Sequence, residues 1–285
     1  MAKNIFGVRD DAEQIDGQAF VLRQIPAELK EKMERFGQDA EAFAEEYRPS
    51  RRLALLRTFA LVTGVVLLII ARMQGNEAGV GSFGALFRAY PVSILASFAL
   101  LGVAIGLVAY ERVRAKKAGN SEAADRLRDR SDAIDAEAYS ALGVPENAIS
   151  LDLLTSSYRV QNGVEKNTVH TAFAFRAWVA DGCLCLADVE NVVGIPLDSI
   201  AGLTRVERRV TFYFWNKKEP PRSEAYRQYR IRSTYLGAYT VKGVSVMHIQ
   251  SEFGEYELLV PPYETEAFLN LTGKRFPPEN EKEKV

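Results

Sequence analysis

The feature that most constrains this sequence is an uncharged, apolar segment that runs from Tyr90 to Tyr110. At a rise of about 1.5 Å per residue, a helix over this segment is long enough to cross a hydrocarbon core of roughly 30 Å. Tyrosine at both ends suits the interface between lipid and water, and four basic residues follow: Arg112, Arg114, Lys116 and Lys117. We therefore predict a transmembrane helix over 90–110. The alternative is a deeply buried helix in a larger complex.

A second apolar segment, Thr58 to Ala71, lies between Arg57 and Arg72 and is slightly too short to cross a bilayer alone. Arginine side chains near helix ends extend to the headgroups, so the span is predicted over 53–73. The two spans then form a transmembrane hairpin over 50–111. Small residues four apart, which let helices approach closely, occur once in each span, although such spacing also arises by chance: Ala60 and Gly64, then Gly102 and Gly106.

Basic residues outside the spans predict the orientation of the hairpin. Arg48, Arg51 and Arg52 precede the first span and a basic cluster follows the second, whereas Arg88 is the main positive charge of the loop over 74–89. Positive residues mark the cytoplasmic side, and the first fifty residues contain no apolar core of a cleavable signal. We expect a two-pass protein of the inner (plasma) membrane with both termini in the cytoplasm.

Composition limits the classes of partner and ligand that we expect for this protein. The 285 residues carry 36 basic and 37 acidic side chains, a formal net charge of −1, so no nucleic-acid partner is expected. The two cysteines, Cys183 and Cys185, are two residues apart, which places both on one face of a strand, and we expect free thiols. With His170 and His248 as the only histidines and no ligand spacing, no metal site is predicted.

Two helices are predicted beside the hairpin, after a segment over 1–25 that is expected to be poorly ordered. Residues 26–49 form an amphipathic helix whose apolar seam alternates spacings of four and three: Leu29, Met33, Phe36, Ala40, Phe43 and Tyr47. The linker over 112–144 carries a weaker version of this spacing: Leu127, Ser131, Ile134, Ala138 and Ala141. These helices either pair as an antiparallel stalk or each pack on the nearest surface.

From about Pro145 the sequence changes to short alternating runs separated by turn signals, which predict a β-domain over 145–273. The runs are 152–161, 169–180, 183–189, 191–197, 208–215, 228–234, 243–250 and 255–260. Asn162-Gly163 and Asp181-Gly182 are strong hairpin signals, and a final helix is predicted before Gly273. The charged tail over 274–285 is expected to be disordered.

About seven antiparallel strands and one closing helix, with LCLADVENVVGIPLDSIAGL in the middle, resemble the pleckstrin-homology-like (PH-like) domains of bacterial membrane proteins. The resemblance covers 149–272, includes the turn Ile195-Pro196-Leu197, and extends to the two spans upstream. It implies a partly open barrel of two packed sheets, capped by the helix and used for binding. The expected fold class is thus a two-helix membrane hairpin plus an all-β PH-like barrel with a C-terminal helix, α+β overall.

No catalytic chemistry is recognisable in the sequence, and we predict no enzyme, cofactor, catalytic residue or metal. The segment from Gly79 to Gly84, GVGSFG, matches the dinucleotide-binding pattern by letters, but it follows no strand and no acidic residue lies about twenty positions later. We interpret these glycines as a flexible turn. Neither a Walker loop, a nucleophile elbow nor an HExxH motif occurs.

A basic and aromatic segment is the candidate contact for lipid or a partner: Trp215, Lys217, Lys218, Arg222, Arg227, Tyr229, Arg230 and Arg232. A solvated loop balanced by Glu219 and Glu224 is the simpler reading. We expect a membrane-anchored binding module that faces the cytoplasm and recognises a protein partner or a lipid headgroup. The alternative is a structural or assembly subunit of a membrane complex, such as a homo-oligomer, that assembles through the 26–47 helix and the hairpin. The candidate helix-pairing seam consists of Leu29, Met33, Phe36, Phe43 and Tyr47. A transporter or channel would need an oligomer and a charged residue within the membrane.

Overall fold

The computed structural model describes residues 2–9, 14–48, 50–80, 82–162, 164–214, 229, 231–233 and 238–276. The chain divides into two compact units. One comprises Met1–Lys30 together with Asp135–Val285, and the other comprises Glu31–Ile134. We call them the β unit and the helical unit. The predicted disordered tail lies outside the described residues from position 277 onward.

Five helices make up the region from residue 27 to residue 142: α1 (Ala27–Tyr47), α2 (Arg51–Glu77), α3 (Phe83–Ala89), α4 (Pro91–Gly119) and α5 (Glu122–Leu142). The two predicted apolar helices are confirmed as α2 and α4, each with a mean hydropathy of 2.5 over its most apolar stretch and each long enough to cross a membrane. Both extend beyond the predicted spans. The short helix α3 in the connecting loop was not predicted.

Small residues bring α2 and α4 together. In α2 the buried residues are Ala60, Gly64, Ala71 and Gly75, as the predicted spacing of Ala60 and Gly64 indicates. The contact face of α4 instead contains Ser97 and Ala104. The expectation that Gly102 and Gly106 form this face is wrong, because both are exposed and a Cβ atom at either would meet no atom within 4 Å.

The other faces of α2 and α4 are apolar and open. Phe59 is 64% exposed and Ile105 is 68% exposed, and at most 17% of the most apolar stretch of either helix is buried. A core helix of a soluble domain buries such side chains, whereas a helix in a bilayer exposes them to lipid.

In the β unit, the described residues form one sheet of eleven strands. They are β1 (Lys3–Asn4), β2 (Gly7–Arg9), β3 (Val21–Gln24), β4 (Ile149–Gln161), β5 (Val164–Ala180), β6 (Cys183–Ala187), β7 (Asn191–Pro196), β8 (Ile200–Phe214), β9 (Arg232–Ser233), β10 (Tyr239–Ser251) and β11 (Gly254–Val260). Seven of the eight alternating runs are therefore confirmed as β4 to β8, β10 and β11, and of the run over 228–234 only Arg232–Ser233 is a described strand, β9. The closing helix α6 (Thr265–Thr272) ends at Gly273, whose φ of 66° is a conformation that glycine adopts without strain.

Five of these strands close into a barrel in the order β4, β11, β10, β8 and β5, with β5 pairing back to β4. The barrel closes because β5 is 17 residues long. Its middle residues, His170 to Ala172, pair with β8, and its end pairs with β6. The sheet then continues through β6, β7 and β3. The expectation of a partly open barrel is corrected to a closed barrel with an extension.

Inward-facing side chains of the strands fill the barrel. Phe175 and Phe268 are almost fully buried in one cluster, to which α6 thus contributes, while Phe212 is buried in a neighbouring cluster on the inner side of β8. Tyr213, the next residue of β8, is 41% exposed. Side chains of β8 thus alternate, with Val210 and Phe212 buried on one face and Thr211 and Tyr213 exposed on the other.

The N-terminal segment differs from the expectation of poor order over 1–25. In its described part it contains β1, β2 and β3, and Ile5, Phe6 and Phe20 are at least 96% buried in the main core of the β unit. The buried side chain of Asn4 donates to the Leu154 carbonyl at 2.9 Å and to Ser156 Oγ at 3.0 Å. This segment orders because its few large apolar side chains are buried by the barrel.

Candidate functional site

The candidate lipid or partner surface lies largely outside the described residues. This applies to Trp215, Lys217, Lys218, Arg222, Arg227 and Arg230. Tyr229 lies in a turn, and Arg232 begins β9, where its backbone pairs with Thr240. The chain leaves β8 at Phe214, whose ring centroid is 5.0 Å from that of Tyr239 in β10. Since Tyr239 also pairs with Ser233, both ends of the basic segment are fixed at this part of β10.

A groove is present elsewhere on the β unit, between β3, the end of β7 and the turn that joins β10 to β11. We call it the β3 groove. Its volume is about 590 Å³, and it is lined by Ala19, Phe20, Leu22, Cys183, Gly194, Pro196, Asp198, Ser199, Gln250, Ser251, Glu252 and Phe253. Among the described residues of this lining none is basic, and Asp198 and Glu252 give the groove an acidic character.

Local sequence explains the apolar walls of the β3 groove. Gly194 has no side chain, and a Cβ atom there would lie 2.3 Å from Leu22 Cδ1, so the glycine lets Leu22 lie across β7. The Phe20 ring meets Phe253 edge to face at 5.8 Å and Tyr256 at 5.4 Å. Leu22 and Phe253 remain more than half exposed, which leaves two large apolar side chains at the surface.

The strand β3 also ends the sheet among the described strands. Its inner edge pairs with β7 through Val21, Arg23 and Gln24, while its other edge carries no described strand. The backbone of an edge strand can pair with an extended peptide, and alternate side chains of that peptide would then occupy neighbouring pockets. Leu22 therefore belongs both to an edge strand and to the lining of an apolar groove.

Sequence reasoning missed this groove because its residues come from three distant regions and because positions 1–25 were expected to be poorly ordered. One sequence signal was the apolar cluster of Phe20, Val21 and Leu22 shortly before Pro26. A glycine in a strand, Gly194, is also typical of a place where another part of the chain approaches closely.

The cysteines lie as predicted on one side of β6. Both are free thiols, and both pack in a cluster that contains Leu142 and Val192. Burial, and then the neighbouring Cys183, raise the pKa of the Cys185 thiol above its ordinary value, so this cysteine is a weak nucleophile.

The two histidines occupy separate positions. His170 Nδ1 lies 3.2 Å from Ser156 Oγ, and His248 Nε2 lies 2.8 Å from Thr204 Oγ1. Each histidine thus has a hydroxyl partner on a neighbouring strand. Among the described residues no group of three or more histidine, cysteine, aspartate and glutamate side chains could hold a metal ion.

The predicted seam of α1 is its least exposed face. Leu29, Met33, Phe36, Ala40, Phe43 and Tyr47 are the buried or half-buried positions of this helix, and its remaining residues are exposed. Within the helical unit, Arg130 of α5 bonds Asp39 at 2.6 Å and lies 5.6 Å from the centre of the Phe36 ring. Near the other end of α1, Arg114 of α4 donates to the Glu46 carbonyl at 3.0 Å.

These contacts favour an antiparallel stalk over separate packing of each helix, the two alternatives that the sequence left open. Residue numbers rise along α1 from Phe36 to Tyr47, while those of their partners fall from Arg130 to Arg114. The contacting segments of α1 and of α4 and α5 are therefore antiparallel. Ser50 Oγ accepts from the Leu53 amide at the start of α2, and Ser121 Oγ accepts from the Ala124 amide at the start of α5.

Comparison with known proteins finds no family model, curated protein or solved structure that matches the chain. The molecule is thus defined by its own architecture, which joins two helices able to cross a membrane to a closed five-stranded β-barrel.

Proposed function

We propose that this protein is a membrane-anchored binding module that recognises an extended segment of a partner protein in the β3 groove. In this proposal α2 and α4 cross the inner membrane as a hairpin, both termini face the cytoplasm, and the β unit is kept at the bilayer by its two connections, α1 and α5. One observation carries the proposal: β3 is an edge strand among the described strands, and its Leu22 lines a groove that has apolar walls and two acidic side chains.

A PH-like identity of the β unit belongs to the same proposal. It is supported by an antiparallel run of β4 to β7, a second antiparallel run of β8, β10 and β11, and a helix after the last strand. A module of this kind binds without chemistry of its own, and the fold alone does not name its ligand.

The chemistry of the β3 groove favours a particular kind of segment. Edge-strand pairing requires an extended backbone, the exposed Leu22 and Phe253 favour apolar side chains, and Asp198 with Glu252 favours a lysine or arginine. We therefore propose a partner segment that alternates apolar and basic residues.

A direct test measures binding of labelled synthetic peptides to the full-length protein in detergent by fluorescence anisotropy. A peptide of alternating leucine and lysine is expected to bind, and one of alternating leucine and glutamate is not. Glu252→Lys should weaken binding of the lysine peptide about tenfold, because it places a like charge in the groove. Glu255→Lys, an equal charge change at an exposed position outside the lining, is the matched control. Equal binding of both peptides would contradict the proposal.

We also predicted that the basic segment over 215–232 contacts anionic headgroups, and this prediction is separate from the peptide proposal. Its test is binding of the protein to vesicles with and without anionic lipid. If the protein binds vesicles more strongly when they contain anionic lipid, and binds neither peptide, a lipid ligand is favoured instead.

The second candidate function is an assembly subunit that oligomerises through α1 and the hairpin. Phe36 and Tyr47 contact Arg130 and Arg114 of the same chain, and these contacts support the binding module over the assembly subunit. The mass of the detergent-solubilised protein separates the two proposals, since a strict monomer excludes the assembly subunit.

A further inference from the structure

One face of α4 changes from apolar to basic along its length. Residues spaced by three and four lie on the same side of a helix, and here they are Ala99, Val103, Gly106, Tyr110, Arg114 and Lys117. All but Arg114 are exposed, and Arg114 is half-buried. Small side chains at Ala99 and Gly106 leave a shallow apolar track that leads toward Tyr110.

A cavity of about 350 Å³ lies at the basic end of this face. It is lined by Tyr47, Tyr110, Val113, Arg114, Lys117 and Ala118, all within the helical unit. We call it the interfacial cavity. Two cations and two tyrosines converge on it, and phenol rings with basic side chains are the residues that membrane proteins place at headgroup level.

The position along α4 agrees with that level. At a rise of about 1.5 Å per residue, Arg114 lies about 6 Å and Lys117 about 10 Å beyond Tyr110, where the apolar segment ends. The headgroup region of a bilayer extends about 5 to 8 Å beyond the hydrocarbon on each side. Arg114 is therefore at the depth of lipid phosphates when α4 spans a bilayer, and the long side chain of Lys117, whose backbone lies just beyond that region, can reach back toward it.

Arg114 is held in place by contacts with α1, and both cations of the interfacial cavity lack a carboxylate partner among the described residues. Arg114 donates one hydrogen bond to the Glu46 carbonyl, and its guanidinium lies 6.0 Å from the centre of the Tyr47 ring. Within the described part of the chain, neither Arg114 nor Lys117 has a carboxylate partner, whereas the nearby Arg57 is paired with Glu111. A guanidinium has five N–H donors, so most of those of Arg114 remain available to an anion.

We propose that the interfacial cavity binds the phosphate headgroup of an anionic phospholipid of the surrounding bilayer. Arg114 and Lys117 contact the phosphate, Tyr47 and Tyr110 flank the headgroup, and one acyl chain follows the track of Gly106, Val103 and Ala99. The inference rests on the membrane-anchor part of the proposed function and is independent of the β3 groove. The lipid would occupy a site beside α1 and strengthen its contact with α4.

The test uses the full-length protein, purified in detergent from membranes washed with alkaline carbonate, with lipid binding counted by native mass spectrometry. Phosphatidylglycerol is expected to bind at least about tenfold more strongly than phosphatidylcholine. Arg114→Gln with Lys117→Gln should lower the affinity for phosphatidylglycerol about 25-fold, since a basic residue close to anionic lipid contributes about fivefold. Arg112→Gln with Lys116→Gln removes equal charge from exposed positions that do not line the cavity, so it should lower the affinity clearly less than the first pair of substitutions.

Further variants and competitors make the outcome decisive. Arg114→Lys with Lys117→Arg keeps both charges and should retain the preference, which separates loss of charge from loss of folding. An excess of soluble glycerol phosphate should not displace the lipid, and equal competition would show a site for free phosphate instead. No preference for phosphatidylglycerol, or equal losses in the two glutamine variants, would overturn the inference. Release of the protein by carbonate would instead overturn the membrane anchor of the proposed function.

Discussion

The side chain of Ser97 in α4 donates a hydrogen bond to the backbone carbonyl of Gly64 in α2, with 2.5 Å between the two oxygens. Both residues are buried, and the bond joins the two helices that are long and apolar enough to cross a membrane. Close approach of the backbones depends on the missing side chain of Gly64, because a Cβ atom there would lie 3.2 Å from the Ser97 carbonyl oxygen. This contact therefore sets how α2 and α4 pack.

We expect Gly64→Leu to separate the two helices and to destabilise the hairpin by about 1 to 3 kcal/mol, as overpacking does. Ser97→Ala removes only the hydrogen bond and should cost about 0.6 kcal/mol. Thermal unfolding of the protein in detergent measures both. The matched control is Gly102→Leu, because Gly102 is exposed and its added side chain would meet no neighbour. Equal destabilisation by the Gly64 and Gly102 variants would contradict this packing.

The contact of Asp39 with Arg130 predicts a crosslink between α1 and α5. Cysteines in place of both residues, in a background without Cys183 and Cys185, should be joined within one chain by a short bifunctional reagent, because the native side chains meet at 2.6 Å. The product is recognised on a denaturing gel after cleavage between the two helices. Cysteine at Glu41, which lies on another side of α1, paired with Arg130→Cys is the control and should react much more slowly. Crosslinks only between different chains would contradict the antiparallel pairing within one molecule.

From the sequence, the helices and strands can be predicted better than the contacts between them. The helices α2 and α4 are recognisable because long uncharged stretches are rare, and β4 to β11 because alternation is interrupted by Asn162-Gly163 and Asp181-Gly182. In contrast, β1 and β2 are two and three residues long, too short for any periodicity, and the partner of Asn4 is Leu154, far along the chain. Spacing alone also could not show whether Gly102 or Ala104 meets α2, since both belong to an apolar helix.

Asn4 provides a test of how the N-terminal segment is held. Its side chain makes two hydrogen bonds to β4 and accepts a third from the Phe6 amide at 2.9 Å, all of them buried. Asn4→Ala leaves these groups without their partner, and we expect a loss of about 1 to 3 kcal/mol in the free energy of unfolding. Faster proteolysis within the first twenty-five residues should accompany it. Lys3→Ala changes an exposed neighbour and should have little effect, so similar losses in both variants would contradict the role of Asn4.

Asp188 in the turn between β6 and β7 predicts a pH dependence of stability. Its Oδ1 accepts from the Glu190 amide at 2.7 Å and from the Asn191 amide at 2.6 Å. Burial nevertheless raises the pKa of this carboxyl group above its ordinary value, since desolvation outweighs the two hydrogen bonds. A carboxyl group with a raised pKa favours folding below its unfolded-state pKa, and this stabilisation is lost as the pH rises through the folded-state value.

Asp188→Asn keeps a side-chain oxygen that can accept from the two backbone amides, and it removes the charge. We therefore expect a higher unfolding temperature than that of the native protein at pH 7.5. The difference should shrink as the pH falls toward 4, because the native carboxyl group then becomes neutral as well. Thermal unfolding across this pH range in detergent measures the effect. Asp181→Asn removes an equal charge from an exposed turn, where asparagine tolerates the φ of 52°, and should stay within about 0.5 kcal/mol of the native protein. A stability gain for Asp188→Asn that is largest at low pH would contradict the desolvated carboxylate, because the sign of the dependence would then be reversed.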